Sequence, residues 1–346
     1  MRIAMLAPIS WRTPPRGYGP WELVTSLLTE GLVARGVDVT LFATRDSETA
    51  GTLAGVVPRG YSEDPAVDAK VWEALHIAEV FERAHEFDLI HNQADFLPLA
   101  FSRLVATPVV TTIHGFSSER ILPVYQRYDG HAHYVAISDA DRHPSLTYAA
   151  TIHHGIRLAE FPVGPGGDDL LFFGRFHPDK GAAVAIDAAA ATGHRLVMAG
   201  LVQDERYWAE EVAPRIDGDR VRHLGVIGGG DRARTLGGAK ALLHLIGFDE
   251  PFGLSVVEAM ACGTPVIAYA RGSMPELIED GVTGFLVRSF DEAVAAIDRV
   301  GEIDRARCAE RARARFGVER MTDEYIALYK RLLGTQDERG QACIAT

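Results

Sequence analysis

The 346-residue chain is poor in cysteine, with only Cys262, Cys308 and Cys343. They lie far apart and are odd in number, so a disulfide framework is not predicted and reduced thiols are expected. No cysteine and histidine cluster has the spacing of a zinc site. The adjacent pair His153-His154 has no carboxylate at ligand spacing, so we predict no metal site there either.

Positive charge and long apolar runs are also scarce. Lys and Arg total 35 against 47 Asp and Glu, a net charge of -12, which argues against a nucleic-acid partner. No stretch of about 18 apolar residues exists, so no transmembrane segment is predicted. The start, MRIAMLAPISW, is too short for a signal peptide and is typical of a buried strand. We expect a cytoplasmic protein, with peripheral membrane contact left open.

The first strand is followed by a glycine-bearing loop that lacks the dinucleotide fingerprint. Glu22 stands where G-x-G-x-x-G requires its third glycine, which argues against a nicotinamide dehydrogenase. Gly17 and Gly19 would let the backbone approach a ligand closely. A plain connector explains this loop equally well.

Short apolar runs alternate with amphipathic stretches, which predicts parallel sheets covered by helices on both faces. The Pro- and Gly-rich segment around residue 165 is typical of a linker between two similar α/β halves. We predict domains over 1–162 and 163–317 and expect a frayed end over 336–346. Strands are predicted over 2–8, 38–43, 88–91, 109–114, 133–137, 170–174, 194–199, 221–224, 241–246 and 265–269. Helices are predicted over 21–35, 71–85 and 182–191.

The segment GFDEPFGLSVVEAMACGTPVIA, residues 247–268, carries two carboxylates eight positions apart. Glu250 is predicted in a loop after a strand and Glu258 in the first turn or so of the next helix. The open N–H groups at that helix start, near Gly253 and Leu254, would suit a diphosphate. Glu258 could accept hydrogen bonds from vicinal hydroxyls such as those of a ribose, while solvated glutamates beside a capped helix are the alternative.

The segment GRFHPDKG, residues 174–181, places two cations just after a predicted strand. Arg175 offers a fork and Lys180 a point charge to phosphate oxygens. In an acidic protein, these cations predict a bound anion, and they would neutralise a leaving diphosphate. A simple surface turn is the alternative.

A histidine and two acidic pairs complete the candidates. His114 ends a predicted strand and could hydrogen-bond a donor sugar, although a core histidine is equally compatible with that position. The pairs Asp139/Asp141 and Asp217/Asp219 match the D-x-D pattern of metal-dependent transferases. Because such pairs are common in acidic chains, we interpret both as caps or turns and predict no metal.

Together these segments resemble glycosyltransferase family 4, retaining enzymes of the GT-B fold, from Met1 to about Leu333. The strongest matches are GRFHPDKG, EPFGLSVVE, EAMACGTPVIA, the Pro275-Glu276 step and GVTGFLV over 281–287. The resemblance implies two Rossmann-like α/β domains with parallel sheets facing an interdomain cleft. It also implies that a C-terminal helix, about 318–333, returns to the first domain.

The resemblance implies a role for each candidate residue. Arg175 and Lys180 would bind the donor diphosphate, Glu258 the ribose and Glu250 the donor sugar. Backbone contacts to sugar and phosphate would come from Phe252, Gly253 and Leu254, and a sugar contact from His114. Gly17 and Gly19 would line the acceptor and diphosphate side. No metal or other cofactor is implied.

The implied reaction moves a sugar from a nucleotide-diphosphate donor, with UDP favoured over GDP, to a hydroxyl acceptor. That acceptor could be a natural-product oligosaccharide, a lipid-linked sugar or a small glycoside. A nucleotide-sugar 2-epimerase on the same fold is the alternative, and a silent binding protein is disfavoured by the intact Glu250 and Glu258. Departures from the family pattern cluster near the N-terminus, at Gly17 and at Gln93, where a histidine is usual.

Overall fold

A computed structural model of the protein describes residues 1–115 and 118–344, with side chains described up to 334. The chain forms two compact units. One comprises Met1–Gly155 with the chain from Val318 onward, and the other comprises Ile156–Gly317. In the part of the chain that the structure describes, no helix is long and apolar enough to cross a membrane.

The first unit contains a seven-stranded parallel sheet in the order β3-β2-β1-β4-β5-β6-β7. Its strands are β1 Arg2–Leu6, β2 Asp38–Phe42, β3 Thr52–Ala54, β4 Leu89–Asn92, β5 Val109–Ile113, β6 His133–Ala136 and β7 Tyr148–Thr151. Its helices are α1 Pro20–Ala34, α2 Ala69–Glu82 and α3 Leu122–Tyr128, followed by the C-terminal helix described below.

The second unit contains a six-stranded parallel sheet in the order β10-β9-β8-β11-β12-β13. Its strands are β8 Leu170–Phe173, β9 Leu196–Ala199, β10 Val221–His223, β11 Ala241–His244, β12 Val266–Tyr269 and β13 Gly284–Val287. Its helices are α4 Ala182–Thr192, α5 Glu205–Tyr207, α6 Gly229–Gly237, α7 Leu254–Ala261, α8 Met274–Leu277, α9 Phe290–Arg299 and α10 Arg305–Phe316.

Both sheets form because their central strands are continuous apolar runs. The side chains of Ile3 to Leu6 in β1 and of Leu242 in β11 are fully buried, as strands covered on both faces require. Side-chain caps fix several helix starts. Asp68 accepts the Val71 N–H at the start of α2, and Ser289 accepts the Glu292 N–H at the start of α9.

The C-terminal helix α11, Val318–Ile344, belongs to the first unit. A Cβ on Gly31 of α1 would lie 2.2 Å from the hydroxyl oxygen of Thr322 in this helix. Glycine is therefore needed for the close contact between the two helices. The helix extends to Ile344, and the frayed end that we expect over 336–346 stays a prediction. After Leu333 the sequence has no proline that would interrupt the helical hydrogen bonds.

The structure divides the chain between Gly155 and Ile156, whereas we predicted a boundary at residue 162. The residues that follow Gly155 form hydrogen bonds within the second unit. The Ile156 N–H, for example, donates to the Phe316 carbonyl at 2.8 Å. Further along, the Arg313 guanidinium donates to the Phe161 carbonyl at 2.9 Å. The Pro- and Gly-rich composition near 165 therefore marks a loop inside the second unit.

Candidate functional site

In the six-stranded sheet the strand order reverses between β8 and β11, which both lie at the centre. Ligands of open parallel sheets bind beyond the carboxyl ends of the strands at such a switch point. Gly174 and Arg175 directly follow β8, and the loop with Glu250 follows β11. The second unit therefore brings the predicted site residues to the place where the topology favours a ligand.

Lys180 and Glu250 form an ion pair at this edge. The Lys180 ammonium donates to Glu250 Oε2 at 2.5 Å, and each side chain is only 14% exposed. The same ammonium lies 4.6 Å from the centre of the Phe248 ring, which adds a cation–π contact. A fixed cation beside a fixed carboxylate can bind an anionic group and a hydroxyl group next to each other.

Two glycines allow these loops to pack closely. Gly181 has a φ of 72°, and a Cβ there would meet the Leu245 carbonyl oxygen at 2.0 Å. Gly272 has a φ of 53°, and its Cβ would meet the Glu250 backbone at 2.5 Å. Glycine at both positions thus lets the turn with Lys180 and the loop with Glu250 approach their neighbours closely.

Arg175 does not join the Lys180–Glu250 pair. Its guanidinium donates to the side-chain oxygen of Gln203, which follows β9, and its side chain remains half-buried. Both predicted cations thus follow β8, but their partners follow its two neighbouring strands, Gln203 after β9 and Glu250 after β11. Gln203 carries no sequence signal of its own, so we did not predict its involvement.

The helix α7 begins at Gly253, whose φ of 101° favours glycine. No side chain caps this helix start in the described chain, so its first N–H groups are available to an anion. Phe252 is 3% exposed, and its ring contacts Phe316 with centroids 6.2 Å apart. Its side chain belongs to the core, and its carbonyl accepts a hydrogen bond from the Ser273 hydroxyl.

Glu258 is the fifth residue of α7 and lies just past its first turn, close to the predicted place. The carboxylate is 1% exposed and accepts two hydrogen bonds from the Arg232 guanidinium, one of them from Nε at 2.8 Å. Burial raises the pKa of Glu258, and the charge of Arg232 opposes that rise. Arg232, on α6, was not predicted because its contact spans 26 residues of sequence.

His244, the last residue of β11, is a further group that the sequence pattern did not reveal. Its Nε2 lies 3.8 Å from Glu250 Oε2, and the residue is 7% exposed. Burial lowers the pKa of His244 to about 4, so the ring is neutral at physiological pH. Within a predicted strand, a histidine is expected to be a core residue, and only the strand's end places it beside Glu250.

The first unit carries a network of buried histidines at the corresponding edge of its own sheet. His91 lies near the end of the central strand β4, Gln93 directly follows that strand, and His114 follows β5. The Gln93 side chain bridges the two rings, at 3.0 Å from His91 Nε2 and 2.6 Å from His114 Nε2. Trp21 of α1 stacks on His114 with ring centroids 5.2 Å apart.

The placement of the Gln93 amide corresponds to one set of protons in this network. Its nitrogen donates to His91 Nε2, so His91 carries its proton on Nδ1, which faces the Tyr329 hydroxyl. The Gln93 oxygen then accepts from His114 Nε2, which leaves His114 Nδ1 facing His154 at 3.3 Å. Burial lowers the pKa of both His91 and His114 to about 3, so both rings are neutral. The donor-sugar contact of His114 stays a prediction.

The loop after β1 gives its two glycines different surroundings. Gly19 has a φ of 148°, and a Cβ there would lie 2.9 Å from the Pro15 side chain, so the position favours glycine. Nothing lies within 4 Å of a Cβ at Gly17, and the fold places no demand on it. Beside them, burial raises the pKa of Glu22 to about 7, while its carboxylate accepts the Trp11 N–H at 3.1 Å.

The D-x-D pairs lie in hydrogen-bonded turns. Asp217 accepts the backbone N–H groups of Asp219 and Val221, and Asp139 accepts the Thr151 hydroxyl. Among the residues that the structure describes, no group of three or more histidine, cysteine or acidic side chains could hold a metal ion.

Comparison with known proteins places this arrangement in a family. Residues 160–315 match the family model of glycosyl transferases group 1, and residues 22–158 match the model of glycosyltransferase family 4. The chain belongs to the group 1, family 4 type of glycosyltransferases. The family prediction and the two Rossmann-like α/β domains of the GT-B fold are thereby confirmed.

This glycosyltransferase is 34% identical over 202 residues to D-inositol 3-phosphate glycosyltransferase of Mycobacterium tuberculosis. The match covers 54% of the chain but only 42% of that relative. AviGT4, a glycosyltransferase involved in avilamycin A biosynthesis, has 23% identity and a TM-score of 0.71 over 96% of this chain and 98% of its own. HepE of Anabaena, solved in complex with UDP-glucose, has 21% identity and a TM-score of 0.73 over 97% and 100%. At these identities, both structures show a shared fold.

Proposed function

We propose that the protein is a retaining glycosyltransferase that takes a sugar from a nucleotide-diphosphate donor. The observation that supports this most is the set of paired charges at the switch point of the six-stranded sheet. Two carboxylates, Glu250 and Glu258, each sit beside a cation, and the open start of α7 lies between them in sequence. Diphosphate, ribose and sugar hydroxyls are the groups that such a site can bind together.

Each side chain then has a defined task. Lys180 and Arg175 bind the diphosphate and stabilise its charge as the bond to the sugar breaks. The N–H groups at the start of α7 add donors to a phosphate oxygen. Glu258 binds the ribose, and Glu250, oriented by Lys180, accepts hydrogen bonds from the donor sugar.

We propose that the anomeric configuration of the donor sugar is retained because the acceptor attacks from the front side. The leaving phosphate oxygen takes the proton of the acceptor hydroxyl. The buried His244 is neutral near Glu250, with a pKa of about 4, so it does not compete with Lys180 for the diphosphate by charge. The charge that stabilises the leaving group comes from Lys180 and Arg175, so we propose that transfer requires no metal or other cofactor.

We propose UDP as the nucleotide, ahead of GDP. Two comparisons support a sugar nucleotide donor and a polyol or carbohydrate acceptor. HepE was solved with UDP-glucose, and the M. tuberculosis relative is named for glycosylating inositol 3-phosphate. The AviGT4 comparison supports a natural-product acceptor, while a lipid-linked sugar or a small glycoside is chemically equivalent at the reacting hydroxyl.

The test is a transfer assay with UDP- and GDP-sugars and a panel of glycoside acceptors, in the presence of a chelator. We expect release of nucleoside diphosphate that depends on acceptor, with proton NMR showing the donor's anomeric configuration in the product. The double variant Arg175→Ala, Lys180→Ala should abolish this release. An inverted product would contradict retention, and epimerised donor without acceptor would identify an isomerase instead.

A further inference from the structure

Arg232 occupies one side of the carboxylate that the proposed function assigns to ribose. It lies in α6, and both its Nε and one of its terminal nitrogens donate to the same oxygen, Glu258 Oε2. The Glu258 side chain is 2% exposed, whereas that of Arg232 is 23% exposed. The pair thus sits at the boundary between the core and the ligand edge of the sheet.

This geometry leaves half of the carboxylate available. Within the described residues, Glu258 Oε1 has no hydrogen-bond partner, although the residue is almost fully buried. This oxygen is not a fully buried atom, so water or a ligand can reach it and donate to it. One carboxylate oxygen can accept two hydrogen bonds, which matches the two donors of a vicinal diol.

The guanidinium is itself held in place. It lies over the ring of Phe173, 5.0 Å from the ring centre, and Phe173 is the last residue of β8. Arg232 therefore bridges two elements at the switch point, the end of β8 and the middle of α7. Its planar, always charged head fixes the orientation of the carboxylate as a lysine would not.

The charge of Arg232 also influences the pKa of Glu258. Burial is the largest influence and raises the pKa of the carboxyl, and the acidic Glu160 adds to the rise. Arg232 opposes this rise and lowers the pKa of Glu258, both by its charge and by hydrogen bonding. Cys262, at the end of α7, also faces the carboxylate, and its thiol is neutral because burial raises its pKa to about 11.

We propose that Arg232 is a positioning residue for ribose recognition, holding the Glu258 carboxylate through Oε2 so that Oε1 is presented to the 2′- and 3′-hydroxyls. This inference rests on the proposed function and deepens it, because it makes the site selective for a ribonucleoside over a deoxyribonucleoside diphosphate. Without Arg232, burial would raise the pKa of the Glu258 carboxyl further, and a protonated carboxyl is a weaker acceptor than a carboxylate.

The experiment measures the affinity of UDP and 2′-deoxy-UDP by calorimetry at pH 6 and pH 8.5. The wild type should prefer UDP by about tenfold at both pH values, a difference of about 1.4 kcal/mol. Arg232→Met should weaken UDP binding by about tenfold or more at pH 6, lose the preference, and regain affinity as pH rises. Arg234→Met is the matched control, because Arg234 lies two residues on in the same helix in an exposed pair with Asp231.

Two further variants separate positioning from folding. Arg232→Lys keeps the charge but not the planar fork, so it should remove the pH dependence while UDP binding stays weaker than in the wild type. Arg232→Met combined with Glu258→Gln should lose the pH dependence, because an amide needs no ionisation. In turnover assays, Arg232→Met should raise the KM for donor with little change in kcat.

Arg232→Met that binds UDP as tightly as Arg234→Met at both pH values would overturn the inference. Tighter binding would also overturn it, since Arg232 would then compete with the ribose. A wild type that binds no UDP, GDP or ADP would refute the proposed function itself, so the two failures are distinguishable.

Discussion

In the six-stranded unit, the polar residues at the switch point are charged and paired with opposite charge, Lys180 with Glu250 and Arg232 with Glu258. In the seven-stranded unit, the residues at the equivalent strand ends are neutral, with Gln93 between His91 and His114. The same parallel topology thus presents two chemistries at its ligand edge. The first suits an anionic ligand rich in hydroxyls, and the second stabilises a fixed arrangement of rings.

The comparison leads to a first expectation about turnover. Lys180→Met removes the cation from a pair in which each side chain is 14% exposed and leaves Glu250 beside a neutral His244. We expect kcat/KM for sugar transfer to fall by about 10²–10³-fold, as for loss of a donor to developing negative charge. Lys70→Met, at an exposed lysine of α2, should retain wild-type kinetics. Near-normal turnover of Lys180→Met would remove the leaving-group role.

A second expectation concerns Glu22 of the seven-stranded unit. Its carboxyl is buried, and no cation among the described residues offsets the effect of burial on its pKa. Burial raises its pKa from 4.5 to about 7, so the neutral form is favoured in the folded state. The contribution of the neutral Glu22 carboxyl to the free energy of unfolding is complete below pH 4.5 and is lost as the pH rises through about 7. Relative to Glu22→Gln, the wild type should lose up to about 3 kcal/mol of unfolding free energy between pH 4.5 and pH 8.

Urea denaturation at several pH values measures this difference. Glu82→Gln, at an exposed position of α2, is the control and should follow the wild type. A constant difference in unfolding free energy between wild type and Glu22→Gln would show that Glu22 is ionised in the folded protein.

The third and smallest expectation tests the histidine network. Gln93→Leu keeps a similar size but removes the bridge between His91 and His114, so each ring loses a partner. We expect a loss of about 2 kcal/mol in unfolding free energy and no change in UDP affinity. Gln126→Leu, which removes only an exposed bond to Ser145, should cost much less. Weaker UDP binding in Gln93→Leu would contradict the separation of roles between the two units.

Sequence patterns located the paired carboxylates because local features mark them. Strand ends, Gly253 and the helix that follows place Glu250 and Glu258 without reference to the rest of the chain. Lys180 was found for the same reason, since its turn directly follows β8. The parallel sheets were predictable from apolar runs, but the edge strands β3, β7 and β13 were not predicted. All three are short, and β3 and β7 are also less completely buried.

The partners of those carboxylates were not predictable in the same way. Arg232 reaches Glu258 from another helix, and His244 reaches Glu250 from the end of a strand that looked longer in sequence. Such contacts depend on how elements pack rather than on local spacing. They decide the ionisation and orientation of groups that the motif alone only locates.

Calorimetric titration of UDP into the wild type and into Glu258→Ala tests whether Glu258 binds the ribose of a nucleotide donor. The account predicts measurable binding to the wild type and at least about tenfold weaker binding to the variant, because the ribose loses its acceptor. Equal affinity in the two proteins would contradict the assignment of the six-stranded unit's paired charges to a nucleotide donor.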